Sequence, residues 1–230
     1  MITFNAFGRI FQIKNGSGTA TAFSVDENGR QYLVTALHVL PEPEGVNEVQ
    51  LLFNDGWKTI PVTLTGKGDE DIDVVVYSPS ARIAPDFELP LTRGLMALGQ
   101  DVYFLGFPYG ITSVVNDPGW HLPYPLIKKA CISGTIDKEN VKIWLLDGIN
   151  NPGFSGGPVV FYPIDHRDNK LRIMGVISGF RFSQEPLFSG EEETDYFVKA
   201  NTGIIYATCA RHVLDIIASN PNGLVITGGN

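Results

Sequence analysis

The chain has 230 residues, of which 43% are hydrophobic, so it can bury a large core in one domain or two. Its formal net charge of -8 argues against a nucleic-acid-binding protein, because that function needs a basic surface to neutralise phosphates. Residues 1–20 lack the pattern of a secretory signal, and no stretch reaches the roughly 20 apolar residues of a membrane span. These features predict a cytoplasmic protein that binds neither nucleic acid nor membranes.

Short apolar and β-branched runs recur along the chain, and turn residues such as Asn28-Gly29 and Asp55-Gly56 separate them. Each run has the length of a strand, which is typical of a barrel or a sandwich rather than of alternating strands and helices. The fold class is therefore predicted to be all-β. The runs are FGRIFQI, TATAFSV, QYLVTALHV, VQLLF, IPVTLTG, IDVVVYS, DVYFLGF, VKIWLL, GPVVFY, LRIMGVISG and GIIYAT.

One short helix is predicted near the C-terminus, at about 208–219, because apolar residues form one face there and Asn220-Pro221 follows. A helical turn is also expected within residues 35–40, which Pro41 would end. Two longer segments, 107–124 and 180–199, lack strand alternation for most of their length. We expect both to be loops, with the acidic run at 191–193 forming a solvated loop tip.

The two cysteines, Cys131 and Cys209, are too few for the disulfide framework of a secreted domain. We expect them to be free, buried thiols. Because the cysteines lie far apart and the histidines show no paired spacing, no metal site and no cofactor are expected.

Ser155 lies in the glycine-rich segment NPGFSGGP, directly before an apolar strand. The glycines allow a tight turn that presents one hydroxyl, with backbone amides free to donate hydrogen bonds around it. A structural turn would explain the glycines, but the chain also carries His38 after one buried strand and Asp73 before another. A serine hydroxyl needs a neutral imidazole to take its proton, and the imidazole needs a carboxylate to fix its tautomer. We therefore predict Ser155 as nucleophile, His38 as general base and Asp73 as the orienting carboxylate.

Three segments, TALHVL, DVVVY and GFSGGPVV, resemble the catalytic blocks of trypsin-like, chymotrypsin-fold serine peptidases, and they occur in that family's order. GTATAFSV, FLGFPYG and ACISGTI resemble segments of its bacterial high-temperature-requirement branch, here without a PDZ domain. The likeness covers about residues 17–217. It implies a single peptidase domain over 1–230, with two six-stranded antiparallel β-barrels at about 1–90 and 99–207 and a C-terminal helix. The active-site cleft would lie between the barrels.

The resemblance also implies an activity, that of a serine endopeptidase which cleaves protein or peptide substrates through an acyl-enzyme. The backbone amides of Gly153 and Ser155 would form its oxyanion hole. Asp71 competes with Asp73 for the role beside His38, but Asp73 matches the family's block because an apolar strand follows it at once. The other histidines, at positions 121, 166 and 212, are expected on the surface or in loops.

By the same likeness, the specificity pocket has Ile149 at its base, neighboured by Asn150, and its wall strand carries Ser178, Gly179 and Phe180. No carboxylate stands at the base to pair with a buried lysine or arginine of the substrate, so trypsin-like specificity is disfavoured. We expect a small or medium apolar residue at the cleaved position.

Phe154 stands where digestive relatives have an acidic residue that pairs with a new amino terminus after zymogen cleavage. That switch is absent, so we expect control by loops, by a ligand or by a regulatory protein partner, with Phe154 packing against neighbouring loops. The alternative function is a latent or inactive peptide-binding module that adds a peptide strand to the wall strand without cutting it. The presence of all three catalytic side chains favours the peptidase.

Overall fold

The structure, a computed structural model, describes residues 2–69, 71–85, 88–113, 121–164 and 170–226. Its α-helices are α1 (Phe4–Phe7) and α2 (Ala210–Ser219). Its strands are β1 (Ile10–Asn15), β2 (Gly18–Glu27), β3 (Arg30–Thr35), β4 (Glu48–Phe53), β5 (Gly56–Lys67), β6 (Val75–Pro79), β7 (Asp101–Gly106), β8 (Leu126–Lys138), β9 (Val141–Asp147), β10 (Pro158–Phe161), β11 (Arg172–Ser189), β12 (Glu192–Cys209) and β13 (Leu224–Val225).

Strands β1–β6 form the first barrel, in the order β3-β2-β1-β4-β5-β6. The barrel closes because β3 also pairs with β6, with Val34 opposite Val76. Strand β3 is buried from Gln31 to Thr35 on both of its faces. One face points into the barrel and the other packs towards the second half of the molecule, so its central residues 32–34 are all apolar rather than alternating.

Strands β7–β12 form the second barrel, which closes in the order β10-β11-β12-β9-β8-β7. Its interior is apolar and includes Phe104, Trp144 and Ile177. The predicted all-β fold with two six-stranded antiparallel barrels is confirmed. Residues 80–100 connect the barrels and contribute Leu89 and Leu91 to the core.

A third apolar cluster lies between the two barrels and α2, whose Val213 and Ile217 are buried in it. The short C-terminal helix is confirmed, and a 3-10 turn at Leu37–Val39 lies where a helical turn was predicted. After α2 the chain returns to the first barrel, where β13 pairs with the start of β3. The sequence did not predict this last strand, because two residues are too short to show a period.

The prediction of a loop at residues 180–199 is wrong, because β11 and β12 continue through it as a hairpin. We call residues 181–200 of this hairpin the arm. Most of its side chains are exposed on both faces, so no buried face imposed the two-residue alternation that marks a strand in sequence. In the other predicted loop, the described residues 107–113 contain a 3-10 turn at Pro108–Gly110.

Within the described residues, no helix combines the length and the apolar character needed to cross a membrane. The two cysteines are both free thiols. Cys209 is buried as expected, whereas Cys131 on β8 is only partly buried.

Candidate active site

The end of β3 and the start of β6 bring His38 and Asp73 together. Thr35 and Val75 lie opposite each other in the paired strands. His38 comes shortly after Thr35 in the chain, and Asp73 comes shortly before Val75. One carboxylate oxygen, Asp73 Oδ2, lies 2.7 Å from His38 Nδ1, and Oδ1 accepts the His38 backbone N–H at 2.9 Å. Asp71 is exposed. The structure thus pairs His38 with Asp73 rather than with Asp71.

This pairing determines which nitrogen of a neutral His38 ring can act as a base. A carboxylate only accepts hydrogen bonds, so the proton lies on Nδ1, where it is donated to Asp73. The Nε2 atom then carries a lone pair. Because both oxygens of Asp73 contact the same residue, the ring and its backbone are held by one carboxylate.

Ser155 lies in a tight turn that two backbone hydrogen bonds close, from the Phe154 amide to Asn151 O at 3.3 Å and from the Gly157 amide to Phe154 O at 2.8 Å. Gly156 has φ +82°, and a Cβ placed on it would lie 2.1 Å from the Thr21 carbonyl oxygen. Only glycine permits this approach. The turn therefore packs against β2 of the first barrel.

The carbonyl oxygens of residues 151–155 are all engaged, and two amides of the turn are available. Pro152 O accepts the Tyr109 amide at 2.8 Å, Gly153 O accepts the Thr21 hydroxyl at 2.7 Å, and Ser155 O accepts the Thr21 amide at 2.9 Å. Across a trans peptide the N–H points away from the carbonyl, so the Gly153 amide points away from Tyr109. In the part of the chain that the structure describes, the amides of Gly153 and Ser155 donate to no protein acceptor.

Thr21 connects the nucleophile turn to the strand that leads to His38. It is fully buried, and its carbonyl accepts the hydroxyl of Thr35 at 2.8 Å. No hydrogen bond joins Ser155 Oγ to His38 within the described residues; such bonds are often long without substrate and tighten in the Michaelis complex. Thr21 was not predicted as a site residue, because a threonine between two alanines in an apolar run looks like any other β-branched strand residue.

The residues predicted for the specificity pocket are only partly brought together. Asn150 is 2% exposed, and its side-chain amide donates to Gly179 O at 3.3 Å, which joins the predicted base to the wall strand. The side chain of Asn201 donates to Asn150 O at 2.8 Å and was not predicted. Ile149, by contrast, is 48% exposed. The polar side chains joined at the predicted base of the pocket, those of Asn150 and Asn201, are therefore neutral amides.

Two residues near the predicted pocket have defined partners. Phe154 is fully buried and packs edge-on against Phe104 at 4.8 Å, in the core of the second barrel. The expected packing of Phe154 against loops is therefore wrong. On the other side, Lys128 Nζ donates to Asn151 Oδ1 at 3.0 Å, and burial lowers the pKa of this lysine.

Wall-strand residue Ser178 donates its hydroxyl to Tyr206 O at 3.1 Å, so this side chain is held against β12. Gly179 has open space beside it, because a Cβ there would meet no atom within 4 Å. Phe180, the next residue of the strand, is half-buried. The wall strand is thus open along one side next to Ser155.

The remaining histidines lie outside this site. His212 is buried in α2, where its Nε2 accepts the Lys142 backbone N–H at 3.0 Å, so its predicted surface position is wrong. Burial, followed by the nearby charge of Arg211, lowers the pKa of His212. His121 is exposed, and His166 lies outside the described residues. The described ranges contain no group of three or more His, Cys, Asp or Glu side chains placed to hold a metal ion.

Comparison with known proteins connects this geometry to a family. The chain is similar over 94% of its length to two crystal structures of the Rv3671c protease from M. tuberculosis, a serine-to-alanine mutant and another inactive form. The TM-scores are 0.57 and 0.56, the identities 17% and 18%, and the match covers 88% and 90% of those chains. A mutant of the HtrA-type protease AlgW, solved with a tripeptide, has TM-score 0.57 and 18% identity over 94% of this chain.

The chain spans 60% of the AlgW chain. No curated protein matches the sequence. The profile of the trypsin-like peptidase domain matches residues 20–161, which is more than half of the chain and contains His38, Asp73 and Ser155. The chain therefore belongs to the trypsin-like peptidase family.

Proposed function

We propose that this protein is a serine endopeptidase in which Ser155, His38 and Asp73 form the catalytic triad. The observation that carries the proposal is the contact of both Asp73 oxygens with His38, in the barrel against which the Ser155 turn packs. The orientation of the histidine leaves Nε2 as the basic atom. Membership of the peptidase family and the double-barrel fold support this assignment.

In the first half of the reaction, Ser155 Oγ attacks the carbonyl carbon of the scissile peptide bond while His38 Nε2 takes the hydroxyl proton. The carbonyl oxygen becomes an oxyanion, which accepts hydrogen bonds from the amides of Gly153 and Ser155. His38 then returns its proton to the leaving nitrogen, the C–N bond breaks, and an ester remains on Ser155.

In the second half, water replaces the leaving amine. His38 Nε2 takes a proton from the water, the hydroxide attacks the ester carbon, and the same two amides hold the second oxyanion. Protonation of Ser155 Oγ by His38 releases the acid and restores the free enzyme. Asp73 stays ionised throughout and stabilises the imidazolium.

The residue before the scissile bond is proposed to be small or medium and apolar. Its pocket would lie between Asn150 and the wall strand of Ser178, Gly179 and Phe180. An arginine or lysine there would be buried against the neutral amides of Asn150 and Asn201 without an opposite charge. Half-buried Phe180 would narrow the opening.

The alternative, a latent or non-cleaving peptide-binding module, is favoured by one observation, the lack of a Ser155–His38 hydrogen bond within the described residues. The nucleophile turn argues against this alternative. Its carbonyl oxygens are hydrogen-bonded elsewhere, so none of them has to move away before an oxyanion can bind to the two amides. A regulatory partner would then act on substrate access rather than on the hole.

The test is covalent labelling with an active-site-directed fluorophosphonate, which forms a phosphonyl ester only with an activated serine. We expect labelling of the parent and none of Ser155→Ala, while Ser133→Ala, which changes an exposed serine on β8, labels like the parent. Labelling without turnover of any peptide would support the latent module. Undiminished labelling of Ser155→Ala would reject Ser155 as the nucleophile.

A further inference from the structure

Among the residues that the structure describes, one edge of β11 continues from the catalytic cleft along the whole arm without a partner strand. At its start, Ile177 donates its amide to Gly157 O and accepts the Gly156 amide, both at 2.8 Å, which places this edge beside Ser155. Strand β10 pairs with β11 only as far as Val176. From Ser178 onwards, the described residues pair with β11 only on its other side, through β12.

The backbone groups that face this free edge can be identified from the register. Ser178 is an extra residue on β11, because Ile177 and Gly179 pair with neighbouring residues of β12, and this bulge shifts the alternation by one. Beyond this bulge, the extra residues lie on β12, so the residues of β11 alternate regularly between its two edges up to Ser189. Arg181 turns its carbonyl towards β12, where the Thr202 hydroxyl donates to it at 2.9 Å. Phe180 and Phe182 therefore face the free edge.

Pro186 fits this alternation of inward and outward residues, and it limits how far a ladder of hydrogen bonds could extend along the free edge. With a two-residue period, Phe180, Phe182, Gln184 and Pro186 all face outwards. Proline lacks an N–H and is tolerated in a strand only where that position needs no partner, which is true of an outward residue. A ladder on this edge would therefore run from the wall strand to about Pro186, which is about six residues or roughly 20 Å of extended chain.

The chemistry of the arm indicates what kind of chain the edge suits. Phe182 and Pro186 share one face of the hairpin with Phe197, which lies opposite Pro186, and both phenylalanines are exposed. From residue 185 to residue 195 the chain carries five carboxylates and no lysine or arginine. All five are exposed. An extended strand with apolar residues at alternate positions and with basic residues near the tip would complement this surface.

We propose that the arm extends the substrate-binding site, so that an unfolded, basic segment of a protein substrate pairs with the free edge of β11. This inference rests on the proposed function and adds a substrate class to it. The bound segment runs antiparallel to β11, with the scissile bond at Ser155 and its N-terminal part at the arm. Recognition thus reaches about six residues beyond the wall strand.

The first test is a binding measurement that needs no catalysis. Fluorescein-labelled peptides of about twelve residues, with valine before the scissile bond, carry either three lysines or three glutamates among their first six positions. Their anisotropy is titrated with Ser155→Ala. We expect the lysine peptide to bind at least about tenfold more tightly at low salt, with the advantage shrinking as salt rises.

The second test varies the edge itself. Gln184→Pro removes an outward N–H without touching the hydrogen bonds between β11 and β12, and we expect binding of the lysine peptide to fall roughly three- to tenfold. Gln184→Ala controls for the side chain. Lys199→Pro, directly opposite on the outer edge of β12, is the matched backbone control and should bind like Lys199→Ala, which removes the same cation and its contact with the Phe182 ring. Glu191→Gln, Glu192→Gln and Glu193→Gln combined should remove the preference for lysine over glutamate.

The third test uses the active enzyme and a series of substrates with about three, six, nine and twelve residues before the scissile bond. We expect kcat/KM to rise up to about nine residues and then to level off, and Gln184→Pro to flatten the rise while turnover of the shortest substrate is unchanged. Labelling of Ser155 and turnover of that shortest substrate report on the proposed function separately.

Three results would overturn the inference. One is kcat/KM that does not depend on length beyond three residues. Another is equal loss of binding in Gln184→Pro and Lys199→Pro, which would mean that the hairpin was damaged rather than its edge. The last is a concentration-dependent dimer that Gln184→Pro converts to a monomer, which would assign the edge to a second copy of the chain.

Discussion

The hydroxyl of Thr21 donates to the carbonyl oxygen of Gly153 at 2.7 Å, across the interface between the two barrels. The same hydroxyl oxygen accepts the Phe107 amide at 3.1 Å, so Thr21 holds two backbone groups of the second barrel. It thereby fixes the peptide that follows the proposed oxyanion donor. A residue of the first barrel thus holds the Ser155 turn of the second.

Replacing Thr21 by valine should therefore slow catalysis as well as destabilise the fold. The change keeps the shape but leaves the Gly153 carbonyl and the Phe107 amide without their partner, at a cost of about 1–3 kcal/mol for each group. We expect kcat for a small ester to fall roughly 10- to 100-fold, with KM nearly unchanged, and Thr21→Ser to restore most of it. If valine and serine variants have equal kcat, the hydroxyl does not position the turn.

The carboxylate assignment is tested by Asp73→Asn and Asp71→Asn. The asparagine amide at position 73 would hold His38 in the wrong tautomer, for which the well-studied chymotrypsin-type triad gives a loss of roughly 10⁴ in kcat. Asp71 is exposed, and its substitution should cost less than about twofold in kcat. Steady-state kinetics on one ester substrate compares the two, and a larger loss for Asp71→Asn would exchange their roles.

The sequence favoured Asp73 over Asp71 because Asp73 matches the family's block, in which an apolar strand follows the aspartate at once. In the structure His38 follows β3 and Asp73 precedes β6, and the pairing of these strands brings the two side chains into contact. Neither the block nor the strand pairing identifies Thr21. A buried threonine in a strand looks in sequence like any other β-branched residue, and its partner lies 132 positions away.

The arm was missed for a different physical reason. Strand prediction relies on the burial of one face, and residues such as Gln184 and Glu185 face solvent on both sides of a two-stranded hairpin. His212 was misplaced because its helix has an apolar face and a histidine beside it resembles a surface residue. In the structure, its ring accepts a hydrogen bond from the backbone N–H of Lys142 on β9.

Burial of His212 predicts a pH dependence of stability. Folding lowers its pKa, so the unfolded chain takes up a proton at a higher pH than the folded protein does. Stability should be complete above the ordinary pKa of about 6.5 and should fall as the pH drops below it. Thermal unfolding of Ser155→Ala between pH 7.5 and 5 measures this. Adding His212→Gln should reduce the drop and adding His121→Gln should not; equal drops would remove His212 as the cause.

Two glycines near the site should differ in their tolerance of alanine. At Gly156, with φ +82°, a Cβ would lie 2.1 Å from Thr21 O and 2.2 Å from Thr35 Oγ1, so Gly156→Ala should destabilise the protein by about 3 kcal/mol or more. Gly179→Ala meets no atom within 4 Å and should unfold at the denaturant midpoint of the parent. A normal midpoint for Gly156→Ala would show that the turn can move away from β2.

The last prediction concerns whether the oxyanion hole is formed in the isolated protein. Without a zymogen ion pair, an oxyanion hole in two states would have to be set by loops around Phe154, and removal of residues 189–194 from the arm would then change the activity. Phe154 instead packs on Phe104 in the core of the second barrel, and the deleted residues form the exposed tip of the arm. A contact that the tip does not make cannot shift the balance between two states of the turn.

We therefore expect the isolated parent to react with the fluorophosphonate without any partner, and the deletion to change the labelling rate of Ser155 by less than about twofold. Phe104→Leu, which weakens the ring contact with Phe154, should slow labelling more than the deletion does. The rate constant of labelling is measured for all three proteins at one pH. If deletion of the tip changes that rate tenfold while Phe104→Leu leaves it unchanged, the arm controls the hole and the latent state becomes the correct description of the free protein.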